Sequence, residues 1–252
     1  MMKLIHSFDL ATLQQLLQQP DNSGGNDYLL LDGALNPAIL RRVRRSGLPW
    51  LSIFTQSSDG SGDLMAASPL LVQFDALAFE PVSKLLSHCD GMPMASLWHS
   101  PESLQALAQR LYPWCVVKAD DMYFNLRYPD TRRLKDIVAV LNDTQHQQLF
   151  GPATRCLLPL RSGGWECLPV SSSDMAAAEK VELDQSQTLA LIRAGETDET
   201  LYQLQYHSHI SPAVLADHYP SVESALQQAD RAGLHAPDSR FTHCLAALQP
   251  GT

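Results

Sequence analysis

The chain has 252 residues, of which 45% are hydrophobic and 18% are charged, so it can bury a sizeable core as one large domain or two small ones. The formal net charge of −9 argues against a general nucleic-acid binder, because such proteins usually carry a basic surface. No apolar run approaches the roughly 20 residues that a membrane-spanning helix needs.

The cysteines and the first residues bear on the cellular compartment. The 5 cysteines are odd in number, and no two have the two-residue spacing of a zinc knuckle or redox site. We therefore expect buried free thiols in a reducing environment. The sequence before Leu17 lacks the layout of a signal peptide, since only a short apolar stretch follows its lysine and no cleavage site is present. The sequence predicts a cytoplasmic protein that binds no membrane.

Helices and strands alternate in the first part of the chain. The helix after the fourth predicted strand has the strongest start signal: Ser100 as a cap, Pro101 in the first turn and the acidic Glu102 close behind. Apolar runs predict strands at 28–31, 48–54, 68–74 and 94–98. Apolar residues at helical spacing predict helices at 8–19, from 37 to a stop at 47, at 81–88 and at 101–111.

The stretch from Trp114 to Ala153 concentrates charge beside apolar residues. Its first apolar run ends at a break of Ala119 and two aspartates, and residues 122–128 then alternate with a period of two, which predicts a β-hairpin. The second strand leads into Arg127, Asp130 and a helix, and a second helix follows. Most of the charge of this stretch is thus expected where a strand becomes a helix.

The chain changes character after residue 172. A second hairpin is predicted from 155–160 and 165–169, and the serines at 171–173 begin a linker. Only helices are predicted beyond it, at 183–193, 197–207, 212–218 and 222–232 and from 237 onward. The sequence therefore predicts an α+β fold, with a mixed sheet flanked by helices and then a small all-helical C-terminal lobe. The expected domains are residues 1–172 and 173–252.

Several segments, in order, resemble one family of bacterial proteins. The stretch from Arg127 to Arg132, then an apolar helix and Leu149-Phe150-Gly151-Pro152, is similar to the arginine–aromatic–aspartate–proline–arginine signature of the effector chaperones or adaptors of the type VI secretion system. This chain has Pro129 where the family usually has an aromatic residue, and Thr131 where it usually has proline. Further similar blocks occur at 28–34, 51–54, 68–72 and 98–111, so the resemblance spans about residues 28–169.

The resemblance implies a protein without catalytic activity. Such an adaptor binds a cognate toxin effector before export and loads it onto the spike, formed by the trimeric VgrG protein or its PAAR-type cap. No metal and no cofactor are expected. The partners implied are therefore the effector and a spike protein.

The competing hypothesis is a hydrolase or another enzyme with a site at the sheet edge near Asp32, Arg127 and Asp130. The sequence lacks a Gly-x-Ser-x-Gly element, a phosphate-binding glycine loop and a His-Glu-x-x-His motif. A metal nuclease would need further carboxylates and a lysine on an adjacent strand. A pocket with converging catalytic groups would favour the enzyme, and an open apolar cleft would favour the adaptor.

Two sets of charged residues are candidates for a role. Asp32 follows a buried strand and Arg127 lies within another, and a charge beside a sheet is costly unless it is paired. We therefore expect structural charge pairing among Asp32, Arg127, Asp130 and Arg132, with Arg127 bound to Asp32 or Asp130. A partner-binding role for Arg127 is the alternative. The second set is a basic helix face that would dock an acidic partner at the rim of a cleft between the lobes, or simply be solvated: Arg41, Arg42, Arg44 and Arg45.

Overall fold

The computed structural model describes residues 3–19, 24–59, 62–207, 209–211 and 215–248. It contains two sheets with helices, followed by C-terminal helices, and the predicted α+β class is confirmed. The strands are β1 (Asn26–Asp32), β2 (Trp50–Ser52), β3 (Pro69–Phe74), β4 (Ala95–Ser100), β5 (Val116–Ala119), β6 (Met122–Asn125), β7 (Arg155–Pro159), β8 (Trp165–Cys167) and β9 (Glu182–Leu183). The helices are α1 (Leu10–Leu17), α2 (Ile39–Arg45), α3 (Asp63–Ala67), α4 (Glu80–Ser87), α5 (Leu104–Leu111), α6 (Thr131–Val140), α7 (Asp143–Phe150), α8 (Gln185–Ala194), α9 (Glu196–Tyr206), α10 (Leu215–Arg231) and α11 (Pro237–Leu248).

The larger sheet has six strands in the order β2-β3-β1-β4-β7-β8, and its neighbouring strands are antiparallel. In the register, Leu30 of β1 lies opposite Leu71 of β3 and Ser96 of β4. Side chains project alternately to the two faces of a sheet. Here Leu30 and its neighbours Leu29 and Leu31 are all fully buried, because helices cover both faces. This explains why β1 is a continuous apolar run.

The two faces of this sheet support separate cores. Leu30 and Trp98 pack with helices α5, α6 and α7 in one core. Leu29 and Leu97 pack with helices α1, α2 and α4 in the other. Surfaces built on α2 therefore lie on the opposite side of the sheet from surfaces built on α6.

The smaller sheet contains the hairpin predicted between Trp114 and Tyr128. Its strand order is β6-β5-β9, with β5 antiparallel to β6 and parallel to β9, so the mixed pairing is found here. Val117 and Leu183 on one face belong to the same core as helices α5, α6 and α7. Val116 and Tyr123, on the other face, are exposed.

The predicted start of α5 was wrong, because the serine expected to cap the helix belongs to β4. Ser100 is the last residue of β4, where it pairs with Asn26, and it does not cap the helix. The cap is Ser103, whose hydroxyl accepts a hydrogen bond from the backbone N–H of Ala106 at 3.2 Å. Strand pairing carries the extended conformation through Ser100, and the helix begins only at Leu104.

One helix, α10, replaces the two that were predicted at 212–218 and 222–232. It continues through Pro220, although proline removes a helical hydrogen bond. Val222, Ala225 and Leu226 are buried on one face of α10 and pack with α9 and α11. This packing offsets the loss at the proline. The helix predicted at 212–218 begins at Pro212, which lies outside the described residues.

The segment after the predicted domain boundary packs on the N-terminal lobe. Residues 171–177 have no regular structure and are mostly exposed. Ala178, Val181 and Leu183 then belong to the same core as Trp98. The C-terminal lobe has its own core, to which Leu201 in α9 contributes. The segment between the lobes is therefore anchored to the first lobe up to Leu183.

Two further expectations concern the cysteines and the membrane. All five cysteines are free, and four are buried, whereas Cys167 is exposed. Within the ranges that the structure describes, none of the helices combines the length and the apolar character that crossing a membrane would require.

Candidate partner-binding surfaces

The structure pairs Arg127 with Asp32. A guanidinium Nη2 of Arg127 donates to Asp32 Oδ2 at 2.8 Å, and the Asp32 side chain is only 3% exposed. The backbone N–H of Ala34 donates to Asp32 Oδ1 at 2.9 Å. Arg127 has a φ of 56°, and its own N–H donates to the side chain of Asn125 at 3.0 Å. A turn in the left-handed region thus directs the arginine from the hairpin to the end of β1.

The environment of Asp32 accounts for a structural role better than for a catalytic one. Burial raises the pKa of Asp32, the charge of Arg127 lowers it, and the net shift is upward. The cavity beside Asp32 and Arg127 has a volume of about 10 Å³, at the lower limit of the ~10–15 Å³ that a single water molecule needs. A small-molecule substrate does not fit there, so the geometry gives no support to an enzyme site at this position.

Asp130 pairs with Arg132 and does not pair with Arg127. Asp130 caps α6, and its two carboxylate oxygens accept from Arg132 Nε at 3.0 Å and Nη2 at 2.7 Å. Arg132 Nη1 also donates to Asp198 of α9 at 3.2 Å. Arg161 donates to the other oxygen of Asp198 at 2.7 Å, and its guanidinium lies 3.6 Å from the ring centroid of Tyr219 in α10. These five residues, the interlobe network, connect α6 to the C-terminal helices.

The interlobe network borders a polar cleft of about 470 Å³ between the lobes. Burial raises the pKa of Asp136 in this cleft to about 6, although Arg133 opposes the shift. Lys135 in the same cleft is bound to Glu166 at 2.8 Å. Arg132 and Arg161 are held by Asp198, and burial would raise the pKa of Asp198 but these two arginines lower it overall. In the part of the chain that the structure describes, no three histidine, cysteine or acidic side chains are grouped to hold a metal ion.

Sequence reasoning missed a second buried ion pair, Arg110 with Glu102. Arg110 Nε donates to both oxygens of Glu102 at 3.0 and 2.9 Å, and its Nη1 donates to the carbonyls of Gln148 and Met175. The absence of a side chain at Gly151 leaves room for the guanidinium, because a Cβ there would lie 2.3 Å from Arg110 Cζ. The available signal was an arginine placed on the apolar stripe of α5. This pair joins α5 and α7 to the segment after residue 172.

The basic face of α2 lies away from the cleft between the lobes. Arg41, Arg42, Arg44 and Arg45 are exposed, as expected. Arg42 and Arg45 line a separate cleft of about 270 Å³ with residues of α4. Because α2 packs on the sheet face opposite α6, the expectation that these arginines rim the interlobe cleft is wrong. The apolar spacing of α2 shows which side of the helix is buried, but it does not show which face of the sheet the helix covers.

An exposed apolar surface surrounds the hairpin. Val116 is 54% exposed and Tyr123 is 68% exposed, and both line a groove of about 460 Å³ on the outer face of the smaller sheet. Tyr112 and Leu64, also exposed, complete the apolar lining. We call Leu64, Tyr112, Val116 and Tyr123 the hairpin surface. Isolated exposed apolar residues are ordinary, but a contiguous group around a groove is typical of a binding site.

A second cleft lies on the other side of β6. It has a volume of about 600 Å³ and is lined by Phe124 of β6, Leu191 and Ile192 of α8, and Phe241 of α11. Ile192 is 66% exposed. Tyr123 and Phe124 are consecutive, so their side chains point to opposite faces of the strand. The strand β6 therefore separates the groove of the hairpin surface from this α8 cleft.

Comparisons with known proteins give one family match, to part of the chain. No curated protein and no solved structure matches it. One family profile covers slightly less than half of the chain, from β1 into α7, and includes Asp32, Arg127, Asp130 and the whole hairpin. The family whose model matches residues 28–148 is described as Domain of unknown function (DUF4123).

Proposed function

We propose that this protein is a cytoplasmic type VI secretion adaptor that binds a toxin effector through the hairpin surface and delivers it to the VgrG or PAAR spike. The resemblance of residues 28–169 to that adaptor family supports this proposal. The family model described as Domain of unknown function (DUF4123) matches residues 28–148, which is most of the stretch over which the resemblance runs. In this function the protein catalyses no reaction.

The observation that carries the proposal is the hairpin surface. An adaptor must cover apolar surface of its cargo and later release it, so it needs an exposed apolar area that is stable without the cargo. The smaller sheet provides one, because Val117 and Leu183 fix its inner face in the core while Val116 and Tyr123 remain exposed. The partner does not have to order this surface before it binds.

The basic face of α2 supports a role for a second partner. It lies on the far side of the larger sheet from the hairpin, so a cargo on the hairpin surface would leave it accessible. Arginine binds carboxylates through its forked donors, and an acidic segment of the spike would suit this face. Charge reversal of Arg41, Arg42 and Arg45 is expected to slow association with the spike protein and to leave cargo affinity unchanged. Loss of cargo affinity in this variant would contradict the assignment.

A charge substitution in the hairpin surface tests the cargo site. The chain is co-expressed with the product of the neighbouring gene, and the complex is recovered by pull-down and measured by calorimetry. Val116→Glu places a charged carboxylate where the cargo's apolar surface would pack, and it is expected to weaken binding at least ~10-fold. Leu77→Glu is the matched control, because Leu77 is 87% exposed in the turn between β3 and α4 and does not line the groove of the hairpin surface. Equal affinities of the two variants would contradict the proposed site.

A further inference from the structure

We propose that the outer edge of β6 pairs with an extended apolar segment of the effector, which adds a fourth strand to the smaller sheet. This inference rests on the proposed function, because the segment belongs to the cargo. It specifies how the cargo binds: through backbone hydrogen bonds to β6, with its side chains placed in the clefts on both faces of the strand.

The direction of the backbone groups of β6 supports strand addition. In the strand order β6-β5-β9, β6 is at the edge and has no second neighbour among the described strands. The N–H of Leu126 donates to the carbonyl of Cys115, just before β5, at 3.3 Å. Since alternate residues of a strand direct their N–H and C=O groups to the same side, Phe124 also faces β5, and Tyr123 and Asn125 face outward. The outward groups are free to pair with another strand.

The edge is short, but it lacks the other usual protections against pairing. Exposed edge strands are normally blocked by lysine, proline, a bulge or a covering element. The four residues of β6 include no charged residue and no proline, and Met122 is 73% exposed. The charges of Asp120 and Asp121 lie in the turn before the strand and leave the edge itself open.

The two clefts give an added strand places for its side chains. Its residues on one face would extend into the groove beside Tyr123, and the alternating residues on the other face would extend into the α8 cleft beside Phe124. The groove is lined mainly by apolar side chains, and the α8 cleft has an apolar wall of Phe124, Leu191, Ile192 and Phe241 beside charged residues. Such an arrangement selects a segment with apolar residues on both faces of the strand.

The charges at the clefts set no further requirement. Lys180 and Glu179 both line the groove of the hairpin surface, and Arg193 and Glu199 both line the α8 cleft, so neither cleft carries charge of a single sign. The occupant is an extended apolar segment of the effector.

A proline and alanine pair at position 123 tests strand addition. Both Tyr123→Pro and Tyr123→Ala remove the aromatic ring, but only proline also removes the outward N–H. The full chain and the neighbouring gene product are purified separately and titrated against each other. Tyr123→Pro is expected to bind about 10-fold more weakly than Tyr123→Ala, because one carbonyl of the added strand loses its donor. Circular dichroism and the melting temperature report whether the proline variant remains folded.

Amide exchange of the unmodified protein gives a readout that does not depend on a variant. By NMR, the amides of Tyr123 and Asn125 are expected to exchange at least ~10-fold more slowly in the complex. The amide of Phe124 should change less, because it already faces β5. Equal affinities of the two variants, or unchanged exchange at Tyr123 and Asn125 in a complex that does form, would overturn strand addition and leave the adaptor function standing. If the wild-type protein does not bind the neighbouring product, the proposed function fails as well.

Discussion

Arg127 offers the clearest test of how this fold stabilises a buried charge. The Asp32 carboxylate is almost completely buried, and Arg127 is its ion-pair partner at 2.8 Å. Arg127→Ala removes the guanidinium and leaves the N–H of Ala34 as a remaining donor to Asp32. The variant therefore keeps a buried carboxylate that has lost its counter-charge.

The expected cost lies between two limits. Breaking a fully buried pair costs about 3–5 kcal/mol, and an exposed pair contributes at most ~1 kcal/mol. Because Asp32 is 3% exposed and Arg127 is 39% exposed, we expect a loss of about 2 kcal/mol. In a chain of this size that corresponds to a decrease in melting temperature of roughly 4–8 °C.

Arg127→Gly separates the charge effect from backbone strain. Arg127 has a φ of 56°, a conformation that costs a residue with a side chain about 1 kcal/mol and costs glycine little. Both substitutions remove the guanidinium, but only glycine relieves the backbone. The glycine variant is therefore expected to be more stable than the alanine variant by up to ~1 kcal/mol.

The dependence on pH has a definite sign. The folded-state pKa of Asp32 is raised above its ordinary value, and removing Arg127 raises it further. A carboxyl with a raised pKa in the folded state favours folding when it is protonated, and this contribution is lost as the pH rises through that pKa. The destabilisation by Arg127→Ala should therefore be largest near pH 8 and smaller near pH 4. Urea unfolding of both proteins across this range measures it, and a loss below ~0.5 kcal/mol or a loss independent of pH would refute the reasoning.

Three further predictions concern stability and the connection between the lobes. Asp136→Asn should stabilise the protein at pH 7.5 by about 2 kcal/mol, because burial raises the pKa of Asp136 to about 6. The gain in stability should vanish below about pH 4. Urea unfolding measures it, and equal stabilities of the variant and the wild type at pH 7.5 would contradict this prediction. Arg110→Met should cost about 3 kcal/mol at neutral pH, since it leaves the carboxylate of Glu102 without its partner, and a change in melting temperature of less than 2 °C would contradict that expectation. Limited proteolysis should cut within residues 171–177, but the two fragments should co-elute under native conditions, because Val181 and Leu183 remain packed in the first core. Separation of the fragments without denaturant would show that this packing is weak.

Local patterns predicted most elements of the fold because local physics determines them. The period of two in residues 122–128 identified the second strand of the hairpin, and the apolar spacing after Asp130 identified α6. The Asp32–Arg127 pair joins residues 95 positions apart, yet it was foreseeable, since a charge next to a buried strand requires a partner. Which of two aspartates would provide it was not foreseeable.

The remaining features depend on tertiary packing. No local signal shows that Asp198 binds Arg132 and Arg161, because the three residues come from separate parts of the chain. Periodicity also does not reveal which sheet face a helix covers, so the arginines of α2 were expected at the wrong place. The unpaired edge of β6 became apparent only when β9 was found on the other side of β5.

The most direct test of the adaptor function is the fate of the effector in cells that lack this protein. Steady-state amount and secretion of the neighbouring gene product are measured in a deletion strain complemented with the wild-type chain, with Val116→Glu or with Leu77→Glu. The account predicts that the effector accumulates and is secreted with the wild type and with Leu77→Glu, and that both decrease strongly without the gene or with Val116→Glu. Normal accumulation and delivery of the effector in the deletion strain would contradict the adaptor function.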